Sequence, residues 1–236
     1  MEERTYREYC IAEDLTYYNV TLGESDLMIA TKEDMSALCR RFIRDCREEL
    51  IGYIRKEPFF IESLAPMECP EDSPRIVRIM CAASMKAHVG PMAAVAGAIS
   101  ELLCEYLADF TDEIIIENGG DNCILTSKGR TAGIYAGSGF PEGLKIAVDA
   151  KKTPWGICTS SGTMGHSFSF GTADAVTVIS DSAALSDASA TYIANNIKDS
   201  SDIESALEKA MSIDGFRGAV IIAGGKLGAI GEVRFV

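Results

Sequence analysis

Asp187 and Thr191 stand four residues apart in a stretch patterned as a helix, Asp181–Asn196, so both side chains leave one face a single turn apart. A carboxylate and a hydroxyl so placed can grip a hard cation such as Mg²⁺. A hydrogen-bonded helix face explains the same spacing. Asp181 and Ser182 are better placed to cap this helix, which leaves Asp187, a turn further in, without a capping role. The flanking Ala183, Ala184, Ser186, Ala188, Ser189 and Ala190 are small enough to let a backbone or a ligand come close.

Two further runs offer backbone N–H groups and hydroxyls. Asn118-Gly119-Gly120-Asp121-Asn122 follows an apolar strand-like run, and its glycines permit either close approach to a ligand or a tight hairpin turn. Thr159-Ser160-Ser161-Gly162-Thr163 is a turn of the kind that holds phosphate or caps a helix. Neither run has the glycine spacing of a dinucleotide fingerprint or of a nucleophile elbow. His166, between Gly165 and Ser167, can orient substrate or move a proton, or simply sit exposed in its loop. The other histidine, His88, precedes Gly90-Pro91 and fits a helix C-terminus, where a protonated imidazole is favoured. The tiny side chains from Gly90 to Gly97 suit close helix packing or a ligand at the N–H groups after Gly90. Gly224-Gly225-Lys226 reads as a hairpin turn.

The elements that must carry these residues follow from periodicity. Strands are expected at Tyr6–Ala12, Leu15–Val20 and Asp26–Ala30. A helix then opens with Thr31 as cap and Asp34 as capping-box partner, and ends before Pro58. Residues 57–73 hold three prolines and form a loop. Ser73-Pro74 starts a helix that runs to Val89, and a second helix covers Met92–Leu107. Strands are expected at Ile114–Glu117 and at Cys123–Thr126 with Thr131–Ala136, the last two joined as a hairpin by Lys128-Gly129. Leu144–Val148, Gly156–Thr159 and Ala175–Ile179 follow as strands. Asp181–Asn196 and Asp202–Met211 are helical, and Ala219–Ala223 with Ile230–Phe235 make a terminal hairpin. Strand runs interleaved with helix pairs predict an α+β fold, with mixed or mainly antiparallel sheets covered by helices. We read one domain over 1–236, with sub-lobes at 1–72 and 73–236.

Lys and Arg number 22 against 35 Asp and Glu, a formal net charge of −13. Such a surface repels nucleic acid and anionic lipid, so neither is expected as a partner. It also repels nucleotides, so a nucleotide site needs local relief from N–H groups or a divalent metal. No apolar run approaches the roughly 18–20 residues of a membrane span. The charged start, MEERTYREYC, has no signal-peptide core. The eight cysteines include no C-x-x-C pair and sit mostly in apolar runs, as reduced thiols do in a cytoplasmic protein. Apolar terminal hairpins with open edges predict a homodimer.

Four segments in order, between residues 74 and 200, resemble the superfamily of ApbE-type flavin transferases, and more closely a branch of short cytoplasmic relatives. They are the small-residue helix Gly90–Glu101 with Gly97, the strand Ile114–Asn122 ending in Gly-Gly, the Thr159–Gly162 turn, and the Ala175–Thr191 strand and helix with its Asp-x-x-x-Thr. The resemblance implies an ApbE-like fold. It implies Mg²⁺ held by Asp187, Thr191 and the carbonyl of Ala93. It places Gly119, Gly120, Asp121, Ser160, Ser161 and Gly162 near a flavin nucleotide such as FAD, with His166 as the catalytic candidate. The sequence departs from the pattern at Thr163–Asp174, which holds His166 but lacks the family's Asp-Pro. The implied function is Mg²⁺-dependent transfer of a flavin or nucleotide at a phosphate linkage. The alternative is a module that binds such a nucleotide without turnover.

Overall fold

Alternating apolar and polar residues build β1 (Thr16–Leu22) and β2 (Ser25–Thr31), which pair antiparallel from Thr16–Thr31 to Leu22–Ser25. The structure is a computed structural model and describes residues 12–136, 144–162 and 171–236. Six more strands extend this pair: β3 (Ile114–Asn118), β4 (Asp121–Thr126), β7 (Lys151–Ser160), β8 (Ala175–Ser180), β9 (Phe216–Ala223) and β10 (Lys226–Gly231). They form one sheet in the order β1-β2-β3-β4-β7-β8-β9-β10, antiparallel at every step. Between β4 and β7 the chain makes β5 (Arg130–Gly133) and β6 (Lys145–Val148), which form a separate two-stranded sheet, β6 also bridging at Ile146 to Phe235 of the C-terminal segment. The fold is α+β and mainly antiparallel, as the sequence predicts.

The helices are α1 (Ser36–Lys56), α2 (Phe59–Glu62), α3 (Arg75–Ala87), α4 (Val95–Leu107), α5 (Ala183–Asn195) and α6 (Ile203–Ala210). The period-2 alternation of the strands sorts the core into layers. Leu27, Ile29 and Ile116 pack against Ile43, Met80 and Leu103 of α1, α3 and α4. Val176, Val178 and Ile221 pack against Ile193 and Leu207 of α5 and α6. Ile124, Ile157, Ile179 and Ile222 point the other way and are covered by Ile146 and Val148 of the small sheet. Helices therefore cover one face of the large sheet, and the β5–β6 pair covers part of the other. Among the described residues no single helix is long and apolar enough to cross a membrane.

Several local expectations are corrected. Thr31 does not cap α1; it ends β2 in register with Ile114, and its Oγ1 donates to the Glu33 carbonyl at 2.5 Å. The helix starts at Ser36, whose N–H donates to Asp34 Oδ1 at 2.8 Å. The helix expected at Met92 opens instead as a 3₁₀ turn, Pro91–Ala94, before α4 proper. Residues 57–73 include the short α2. Lys128-Gly129 does not join a β4–β5 hairpin. Thr126 Oγ1 accepts from Lys128 N–H at 3.3 Å, and Glu113 gathers Ser127 N–H and Arg130, so the chain leaves the sheet there. β7 is longer than expected and includes Pro154, which sits at an irregularity in register opposite Ile124–Thr126, where a missing N–H is tolerated. The terminal hairpin turns at Gly224-Gly225, so its second strand begins at Lys226 rather than Ile230. The Tyr6–Ala12 strand lies almost wholly outside the described residues.

Candidate functional site

α4 and α5 run antiparallel and each gives a carboxylate to the other's N-terminus. Glu101 of α4 accepts from Ser182 Oγ at 2.6 Å and from Ala184 N–H at 3.1 Å, while Ser182 Oγ caps α5 by accepting from Leu185 N–H. Asp187 of α5 accepts from Gly97 N–H at 2.9 Å, and Ala96 N–H also reaches it. The helices can approach this closely because position 97 has no side chain. A Cβ there would stand 2.3 Å from the Ala183 carbonyl oxygen and 2.8 Å from Asp187 Cβ. Asp187 thus caps a helix after all, but α4 rather than its own, which the one-dimensional pattern could not reveal.

The double glycine makes the two-residue turn between β3 and β4, with Asn118 opposite Asp121. Gly119 and Gly120 have φ of 72° and 106°, which primed hairpin turns need and which glycine adopts freely. The hairpin reading of this run holds, and it also sets the site. Asn118 Nδ2 donates to the Ala96 carbonyl at 3.2 Å, so the turn is tied to the same end of α4 that Asp187 caps. Gly120 N–H donates to Glu117 Oε1 at 2.8 Å. Thr159 N–H donates to the Gly120 carbonyl at 3.1 Å, which brings the Thr159–Gly162 turn alongside. Asp121 pairs with Cys158 in the β4–β7 ladder and is buried. Cys158, also buried, directs its Sγ at the Ala183 carbonyl, 3.3 Å away. Asp121 and Cys158 therefore face the layer that holds α5.

Two carboxylates meet here. Burial pushes the Asp187 carboxyl up to about 7 against the pull of the Gly97 and Ala96 N–H groups. Burial, and then the charge of Asp187, pushes Asp121 well above the ordinary carboxylate range. Ser160, which ends β7 and is only 5% exposed, and Ser189, at 1%, have no hydrogen-bond partner for Oγ among the described residues. Two desolvated acids, with an unpartnered hydroxyl two residues along β7 from the ladder partner of Asp121, are the donor chemistry that a hard dication satisfies. The two N–H groups on Asp187 use about half of a carboxylate's lone-pair sites, so the cap and a cation are compatible. No three His, Cys, Asp or Glu converge among the described residues, so a cation would rest on two acids and neutral oxygens. Thr191 is half-buried one turn along α5 from Asp187. Ala93 lies in the 3₁₀ turn that leads directly into Ala96 and Gly97.

Ser161 and Gly162 follow Ser160, and Gly162 N–H donates to the Ala173 carbonyl at 2.9 Å. A Cβ on Gly162 would stand 2.1 Å from the Gly171 carbonyl oxygen, so the chain leaves and re-enters at one point. His166, between them, lies outside the described residues. His88 has the expected end-of-helix role: it terminates α3 in the left-handed conformation at φ 57°, its N–H bonded to the Ser84 carbonyl. The sequence groups Asp121 with the nucleotide contacts. The structure sets it against Asp187, and the register of a two-residue turn was the signal for that. The linear pattern included Asn118 only as part of the double-glycine run, and nothing in it pointed to Cys158.

The comparisons agree with this architecture. Residues 8–229 match the family described as AbpE bacteria. A UPF0280 protein of Methanocella arvoryzae is 39% identical over 213 residues, covering 90% of this chain and 87% of its own length. Among solved structures, the apo flavinyl transferase ApbE of Pseudomonas stutzeri matches with a TM-score of 0.58 at 10% identity, covering 92% of this chain and 94% of its own. The ApbE protein of Thermotoga maritima matches with a TM-score of 0.59 at 11% identity, covering 90% and 96%. At such identities the likeness is one of fold.

Proposed function

The chain belongs to the AbpE bacteria family, and from that premise we propose that it binds a flavin dinucleotide such as FAD, together with Mg²⁺, and transfers or cleaves at the phosphate linkage. The observation that carries this reading is the meeting of Asp121 and Asp187 beside the double-glycine turn and the start of α4. Asp187, Asp121, Thr191 and the Ala93 carbonyl would hold the cation, whose chemistry is to neutralise a pyrophosphate and the charge that develops on its leaving oxygen. Gly119 and Gly120 leave the turn free of side chains, so a nucleotide can lie against backbone. Ser160 and Ser161, in the turn that ends at Gly162, offer hydroxyls to phosphate oxygens. His166 is the candidate for moving the proton. The Pseudomonas stutzeri structure, titled a flavinyl transferase, supports the flavin as ligand class.

Titration calorimetry of the full chain with FAD, with and without Mg²⁺, tests the binding. We expect Mg²⁺-dependent affinity that Asp187→Asn loses. Chromatography of the same mixtures for FMN and AMP then reads the chemistry. Equal FAD binding with and without Mg²⁺, or none at all, overturns the reading.

A further inference from the structure

A second constellation lies away from these carboxylates, at the foot of α3. A cleft of about 590 Å³ opens between residues 67–71 and α3, and four of its lining side chains carry sulfur: Met67, Cys69, Cys81 and Met85. Cys81 and Met85 are four apart on α3 and share a face. Cys69, on the segment before α3, and Cys81, on α3, line this cleft together and pack on the same apolar cluster, so they converge from two separate segments. Cys81 is buried, Met67 and Cys69 are half-buried, and Met85 is 44% exposed, which leaves a way in past Met85.

We propose that Met67, Cys69, Cys81 and Met85 form a binding site for a soft monovalent metal ion of the Cu(I) class. Thiolate and thioether sulfurs select such ions over hard ones. Zinc wants four nitrogen, sulfur or oxygen donors, and no three His, Cys, Asp or Glu converge among the described residues. A soft ion needs fewer, and two thiolates with thioether support suffice. On binding, Cys69 and Cys81 each release a proton to solvent and form a bond from sulfur to metal, with no change in oxidation state. Arg78 lines the same cleft, but so do Glu68 and Glu71, so the sulfur-to-metal bonds, and not the charge of the walls, must carry the affinity.

The test is an anaerobic titration of the reduced full chain against Cu(I) held by a colorimetric chelator. The wild type is expected to withdraw a single equivalent. The Cys69→Ser/Cys81→Ser double variant loses that withdrawal, Met85→Leu weakens it, and Cys46→Ala, a buried thiol outside the cleft, keeps it. Alkylation of the wild type, read by peptide mass, covers the case of a double variant that does not fold: Cu(I) should protect Cys69. The proposal falls if the folded double variant withdraws Cu(I) as the wild type does, if Cys69 is alkylated equally with and without Cu(I), or if the treated protein carries a Cys69–Cys81 disulfide instead of metal.

Discussion

Asp187 holds two jobs whose separation can be measured. As the acceptor for Gly97 N–H it closes the end of α4, and in the proposed site it would, as a half-buried carboxylate beside Asp121, offer charge to a cation. An amide oxygen can do the first job and not the second. Asp187→Asn should therefore unfold in urea close to the wild type while losing Mg²⁺-dependent FAD binding. Asp187→Ala should lose that binding and about 1 kcal/mol of stability as well. If Asp187→Asn binds FAD and Mg²⁺ like the wild type, the carboxylate is only a cap. Gly97 is a second sensitive position, because the atoms a side chain there would meet are mainly α5 backbone. Gly97→Ala should cost about 1–3 kcal/mol in a urea titration, since the new methyl meets the Ala183 carbonyl.

The small β5–β6 sheet is held to the large one by a buried ion pair. Arg130 donates to Glu113 at 2.6 Å and to Asp14 at 2.5 Å and 3.0 Å, and Glu113 also accepts from Thr126 Oγ1 at 3.0 Å and Ser127 N–H at 2.9 Å. Burial by itself raises the Glu113 carboxyl, but Arg130, Ser127 and Thr126 outweigh it and hold it at about 2. A carboxyl depressed on folding contributes its stability in full above the ordinary glutamate range and loses it as pH falls toward that lower value. Wild-type stability should decline from about pH 4.5 downward partly through this group. Arg130→Leu should remove that share of the acid sensitivity and cost about 3–5 kcal/mol at neutral pH, because Glu113 is left buried without its partner. Urea midpoints measured from pH 3 to 7 on both proteins check the sign: an unchanged slope would mean that Glu113 is not held low.

A pyrophosphate would approach a chain with a net charge of −13 against its field, so in the proposed site nucleotide and dication should bind together. A ligand present at about a hundred times its Kd stabilises the folded state by about 2.7 kcal/mol, or roughly 5–10 °C in Tm for a chain of this size. FAD with Mg²⁺ should produce a shift of that order, and FAD alone much less. Asp187→Asn should show neither, which separates site binding from non-specific effects of salt on an acidic protein.

Periodicity by itself determined most of the elements, because a buried strand and an amphipathic helix must each repeat their apolar residues at a fixed interval. It placed β3, β8 and α5 within a residue or two, and it singled out the double glycine, the Ser-Ser-Gly turn and Asp187 before any contact was known. It failed where a distant side chain decides the outcome. Glu113 and Arg130 draw the chain after β4 away from the hairpin that Lys128-Gly129 promises, and register with Ile114 keeps Thr31 in a strand instead of a cap. Only the tertiary structure decided that Asp187 serves α4, that Asp121 faces it, and that Cys69 and Cys81, twelve positions apart, line one cleft. Burial and pairwise charge act between surfaces that the chain brings together only when folded, so no spacing along one segment can encode them.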